Sequence, residues 1–100
     1  MIVRFAPEAR DAIREKRAWW ENNRDKASSL FRDELREVVI KLRRAPREGQ
    51  RYAVETGELV WRLLMPKTRT HVYYRIDAAG DVDVVTVWNA QGGTAPDFSP

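Results

Sequence analysis

The chain has 100 residues, with 18 Lys and Arg against 15 Asp and Glu, 43% apolar residues, four tryptophans and no cysteine. This is one domain's worth of chain, spanning residues 1–100, and a core of that size buries about two-thirds of the unfolded surface, so the margin of stability is modest. The missing cysteines exclude disulfides, thiolate metal sites and cysteine nucleophiles, and the single histidine excludes a multi-histidine metal centre.

The first residues, Met1-Ile2-Val3-Arg4-Phe5, do not read as a secretion signal, because Arg4 and Glu8 interrupt any apolar stretch. No apolar run approaches the roughly 20 residues that a membrane helix requires. The expectation is a soluble, cytoplasmic protein with no membrane partner, and the lack of cysteine is compatible with a reducing compartment. The charge is uneven. Beyond Arg75 there is no Lys or Arg, while Asp77, Asp81, Asp83 and Asp97 follow, so the last 25 residues carry −4 and the first 75 carry +7. A basic body points to nucleic acid or an acidic protein as partner, or else to solvated helix faces, and charge alone leaves both open.

In chain order, Ile2 to Phe5 is a short apolar run with β-branched residues, ended by Pro7, and is predicted as a strand. Pro7 suits the first turn of a helix, and Glu8 and Asp11 favour the positive end of its dipole. Ala9, Ala12, Ile13, Lys16 and Trp20 then fall at helical spacing as far as Asn22-Asn23, residues that tolerate a helix end. A second helix is predicted almost at once, with Asp25 as N-cap and one apolar stripe through Ala27, Leu30, Phe31, Leu35, Val38 and Leu42. Arg43 and Arg44 suit its last turn, and Pro46 and Gly49 close it. The two make a helical hairpin.

From Tyr52 the period changes to two. Leu59 to Met65, Thr70 to Ile76 and Val82 to Trp88 are strand-length segments separated by the short turns 66–69 and 77–81. The fold class is therefore α+β: an N-terminal strand, a helical hairpin, then a three-stranded antiparallel meander, with the helices packed on one face of the sheet. Residues 92–100, with two prolines and no periodicity, read as a loosely held tail.

This organisation, with these residues, resembles the RelE/ParE toxin family, and within it ParE more than RelE. The resembling stretches are PEARDAIREKRAWWENNR, LFRDELREVVIKLRRAPREG, VWRLLMPKTRTHVYYRID and VVTVWNAQGGTAPDF, from Phe5 to about Phe98. The most specific pieces are Leu42, Pro46 and Gly49 at the end of the second helix, and the His-Val-Tyr-Tyr-Arg-Ile meander strand. Each alone is weak; their order and spacing carry the likeness. The resemblance implies the toxin of a bacterial type II toxin–antitoxin pair of the plasmid-stabilisation type, needing no cofactor and neutralised by a cognate antitoxin. ParE-like members bind and poison DNA gyrase, whereas RelE-like members cleave mRNA on the ribosome.

Metal-free RNA cleavage needs a group to activate the 2′-hydroxyl, an acid for the leaving oxygen, and cations for the phosphate. RelE-like enzymes use a Lys/Arg cluster on the sheet with Arg and Tyr or His near the C-terminus. Here Trp88-Asn89-Ala90-Gln91-Gly92-Gly93 follows Val87, with no such group. If the chain were a nuclease, Arg62, Arg69, His71 and Tyr73 would carry the chemistry. Arg62 matches a ParE-like arginine, and a surface pair with Glu58 is its structural alternative. His71 alone has an ordinary pKa suited to proton transfer near neutrality, set against a structural role on its strand.

As a binding protein, the chain would present Trp19, Arg62, Lys67, Arg69, Arg75 and Trp88 to a partner. Trp19 and Trp20 point about 100° apart on a helix, so either a broad stripe buries both or Trp19 is an exposed aromatic contact. Trp61 and Trp88 are open to either reading, and Lys67 and Arg69 are alternatively a solvated hairpin tip. Three functions remain on the table: a ParE-like binding toxin, a RelE-like endoribonuclease, and a degenerate toxin that only binds antitoxin.

Overall fold

The computed structural model describes residues 2–53, 59–91 and 93–96. The elements run β1 (Val3–Phe5), α1 (Pro7–Asn23), α2 (Leu30–Arg44), β2 (Gln50–Ala53), β3 (Leu59–Met65), β4 (Thr70–Ile76) and β5 (Val82–Asn89). The strands form one sheet in the order β1-β5-β4-β3-β2. Among the described residues only β1 runs parallel to its neighbour, with Val3 to Phe5 opposite Val82 to Val84; the remaining pairs are antiparallel.

The predicted architecture is present, with two refinements. The chain between the helices is longer than a tight turn: Asp25–Ala27 forms a 3-10 turn, and Ser29, not Asp25, precedes α2. A further strand, β2, pairs with β3 and places Gln50 opposite Arg62 and Tyr52 opposite Val60.

Helix α1 opens on Pro7, whose missing N–H costs nothing in a first turn. It closes where the Asn23 side chain donates to the Trp19 carbonyl at 2.8 Å and the Arg24 amide donates to Trp20 at 3.1 Å. Helix α2 ends at Ala45, which precedes proline and is therefore held out of the helical region, with Lys41, Arg43 and Arg44 favourably placed in the last turn.

The core lies between the helices and one sheet face. Ala9, Phe31, Val38 and Leu42 meet Trp61, Met65, Val72, Tyr74, Val82, Val84 and Val87. On β5 the inward residues shift from even to odd numbers, because Tyr73 faces Thr86 while Tyr74 faces Val84, leaving Val85 as the extra residue of a bulge. By alternation the opposite face carries Gln50, Tyr52, Arg62, Leu64, His71, Tyr73, Arg75, Thr86 and Trp88.

Two polar arrangements tie the layers together. Glu34, 5% exposed on the apolar stripe of α2, accepts from the Lys67 amide (2.7 Å), the Thr68 amide (2.9 Å) and the Thr68 hydroxyl (2.6 Å). A buried carboxylate is tolerable when hydrogen bonds replace its water, and here α2 supplies the acceptor for the β3–β4 turn. Tyr74, fully buried and stacked on Trp61, donates its hydroxyl to the Pro46 carbonyl at 2.7 Å. Burial pushes its pKa up to about 12, against a smaller lowering by a hydrogen bond from the Gly49 backbone. A Cβ on Gly49 would collide with the Tyr74 hydroxyl. The Leu42, Pro46, Gly49 pattern is thus a packing motif: Leu42 and Pro46 are buried, and Gly49 makes room for the tyrosine.

The acidic last quarter of the chain is largely spent on one arginine. Arg4 on β1 pairs with Asp77 at 2.7 Å, Asp83 at 2.9 Å and Asp81 at 3.7 Å. Asp77 titrates below the usual carboxylate range, chiefly because the Asp81 backbone amide hydrogen-bonds to it and with help from Arg4. The charge asymmetry seen along the chain therefore fastens β1 to the β4–β5 hairpin.

Candidate partner-binding surfaces

The sequence-predicted residues fall into two groups. Arg62, His71, Tyr73, Arg75 and Trp88 lie on the sheet face away from the helices, whereas Trp19, Lys67 and Arg69 line a cleft at one end of the molecule.

On the sheet face, Arg62 donates from Nε to the Gln50 side-chain oxygen at 2.9 Å, and its guanidinium lies 5.1 Å from the Tyr52 ring centroid. Tyr52 meets Tyr73 edge-on at 5.4 Å, and His71 meets Tyr73 edge-on at 5.9 Å. Tyr73 is 2% exposed, so this cluster offers its rim, Arg62 and His71, more than its centre. Arg75 stands across from Asp83, and Trp88 stands across from His71 with its indole N–H donating to Thr94 Oγ1 at 3.2 Å. Glu58, the alternative partner of Arg62, lies outside the described residues, as do Gly92 and residues 97–100 of the tail.

His71 titrates below its ordinary value, first because it is partly buried and second because Arg62 repels its protonated form. Folding therefore favours the neutral imidazole. The associated stability is present above the unfolded value near 6.5 and fades as pH falls through the lower folded value. An NMR titration is expected to place the His71 midpoint below 6.5, and Arg62→Ala to move it part of the way back, since burial is the larger cause.

The cleft, about 590 Å³, lies between the C-terminal end of α1 and the β3–β4 turn. Its α1 wall carries Lys16, Trp19 and Trp20, extended by Arg24; its far wall carries Lys67 and Arg69. Trp19 is 49% exposed and Trp20 packs against the core, their rings edge-on at 5.6 Å, so the adjacent indoles divide between core and solvent. The Arg24 guanidinium sits 5.7 Å from the Trp19 ring and 5.9 Å from the Trp20 ring. Burial lowers the pKa of Lys16. Arg69 has φ of 54°, in the left-handed region that costs a non-glycine residue about 1 kcal/mol. It is held there by neighbours, its carbonyl accepting from the Ala90 amide at 2.8 Å and the preceding amides clamped by Glu34.

Gln50, Tyr52, Lys16 and Arg24 were not singled out from sequence. For Arg24 a signal existed, since it follows Trp19 and Trp20 by about one helical turn. The nuclease set is divided between the two surfaces: Arg69 is in the cleft, while Arg62, His71 and Tyr73 are on the sheet. Among the described residues no group of His, Cys, Asp and Glu is arranged to hold a metal ion, and no helix is long and apolar enough to cross a membrane.

A five-stranded mixed sheet with a helical hairpin on one face defines the fold. A solved chain described as "Chromosomal ParDE TA system from P. aeruginosa" superposes with a TM-score of 0.72 at 13% identity, covering 91% of this chain and 97% of that one. At that identity the likeness is one of fold, and it is the fold that the RelE/ParE resemblance implies. No family model and no curated protein matches the sequence.

Proposed function

We propose that this chain is the toxin of a type II toxin–antitoxin pair, a single ParE-like domain that acts in the cytoplasm by binding its target and is neutralised by a cognate antitoxin. The observation that carries this reading is a fold shared over 91% of the chain with a member of a ParDE system, together with the sequence pieces that resemble ParE. DNA gyrase is the proposed target. The proposed target-binding residues are Arg62, Arg75 and Trp88 on the sheet; Trp19, Lys67 and Arg69, in the cleft, form a separate binding surface. The antitoxin's place is the helical hairpin, where Ile40 is 49% exposed, and the neighbouring edge of β3, where Leu64 is 44% exposed. The burial of Tyr73, 2% exposed, favours binding over RNA cleavage, since its hydroxyl is poorly accessible to a phosphate.

Induced expression in bacteria is expected to arrest growth, and co-expression of the neighbouring upstream reading frame to relieve it. Filamentation with DNA-damage signalling would support gyrase as target. Folded Arg62→Ala is expected to lose the arrest. A RelE-like reading retains one observation in its favour, the contact of His71 with Tyr73 beside Arg62, and codon-positioned mRNA cuts on programmed ribosomes would establish it. No arrest from a folded chain would leave a degenerate, antitoxin-binding protein.

A further inference from the structure

We infer that the cleft between the end of α1 and the β3–β4 turn is a binding site for single-stranded nucleic acid, taking a phosphate against Lys67 and Arg69 and a stacked base against Trp19. It would act in this way whether or not the chain is a toxin. Four cations, Lys16, Arg24, Lys67 and Arg69, face a single carboxylate, Glu15, so the cleft is complementary to an anion. Its volume of about 590 Å³ falls within the range of small-ligand sites, roughly 300–1,000 Å³.

Charge alone would suit an acidic peptide equally; the aromatic component decides between the two. Trp19 is half exposed at the wall of a cationic cleft, and Arg24 lies against it as a second flat, charged group. Stacking a base on an indole while cations take the backbone is the common mode of single-strand binding, and it uses both features. A carboxylate-rich peptide would use the cations and leave the indole idle. The Gln91 side chain, also on the wall, has an amide that offers both a donor and an acceptor to a base edge.

Two features show that the cleft is held in shape. Arg69 is fixed in a left-handed conformation that its side chain does not favour, and non-glycine residues so held concentrate at binding sites. The Glu34 carboxylate grips the amides of Lys67 and Thr68, which immobilises the turn that carries both cations. Lys16, whose charge burial disfavours, would be relieved by an incoming phosphate.

The test is fluorescence anisotropy with a short labelled oligo(dA), using the full chain at several salt concentrations. Trp19→Ala is expected to weaken binding roughly tenfold through the lost stack. Arg69→Gly removes the guanidinium while accommodating the positive φ, so it should retain the melting temperature, weaken binding, and reduce the slope of log K against log salt by about 0.7. Arg36→Ala, which removes an exposed cation of α2, should leave binding unchanged. The inference is overturned if the wild-type chain fails to bind at low salt, or if an abasic strand binds as tightly as oligo(dA). It is equally overturned if polyglutamate competes on equal terms, which would assign the cleft to an acidic peptide.

Discussion

Glu34→Ala is expected to lower the unfolding free energy by at least about 3 kcal/mol, since three charge-assisted hydrogen bonds are lost, each contributing roughly 1.5–3 kcal/mol, and buried donors are left unpaired. For a domain of this size 1 kcal/mol shifts the melting temperature by about 4–8 °C, so thermal denaturation should report a fall on the order of 15 °C. Glu34→Gln is the informative companion. Its single carbonyl oxygen can serve the two Thr68 donors, but its amide nitrogen would then face the Lys67 N–H, donor against donor. The isosteric change should therefore remain well below wild type. Recovery of full stability by glutamine would show that the negative charge is dispensable.

Gly49→Ala is expected to cost about 1–3 kcal/mol, the usual range for overpacking a filled site. The new methyl would meet the Tyr74 hydroxyl, and also the Arg62 carbonyl at 3.1 Å. Neither yields easily: the tyrosine ring is stacked on Trp61 and its hydroxyl is bound to Pro46, while the Arg62 carbonyl belongs to a sheet strand. Tyr74→Phe alone loses that buried hydrogen bond, at about 1–3 kcal/mol. Combined with Gly49→Ala it removes the oxygen that the methyl strikes, so the double variant should be more stable than the sum of the singles predicts. Urea denaturation of all four proteins measures the coupling, and simple additivity would refute this account of the glycine.

The helices and the three meander strands are legible because their burial is regular. Stripes at steps of three and four, and alternation interrupted by turn residues, each report one dominant force. Strand β2 is missed because it has only four residues, Gln50 to Ala53, whose pattern is filled by Gln50 and Arg51 rather than by apolar groups. The bulge leaves a trace, the adjacent valines Val84 and Val85, visible only once the partner strand is known. Glu34 is hidden for a different reason. It sits three residues after Phe31 and four before Val38, on the stripe itself, and a lone acid there looks like an interruption until the turn it binds is seen.

The candidate surfaces were legible as residues but not as groupings. Whether Arg62 lay beneath the helices could not be read from alternation alone; its face is set by which alternate residues, Trp61 and Met65, enter the core. That Lys67 and Arg69 belong with Trp19, some fifty positions earlier, depends on how the end of α1 meets the β3–β4 turn.

The parallel pairing of β1 with β5 places a timing constraint on biosynthesis. Val3 is paired in register with Val82, whose amide donates to the Ile2 carbonyl at 2.8 Å, so the first strand has no partner until the last has been translated. At about 5–20 residues per second, the intervening chain takes several seconds to appear, during which α1 lacks the cover of β5, the strand it packs against. Contacts so distant in sequence also close slowly, because the loop entropy is lost before the sheet compensates for it. The Arg4 cluster with Asp77, Asp81 and Asp83 thus works as a late latch, engaging only once the final hairpin is in place.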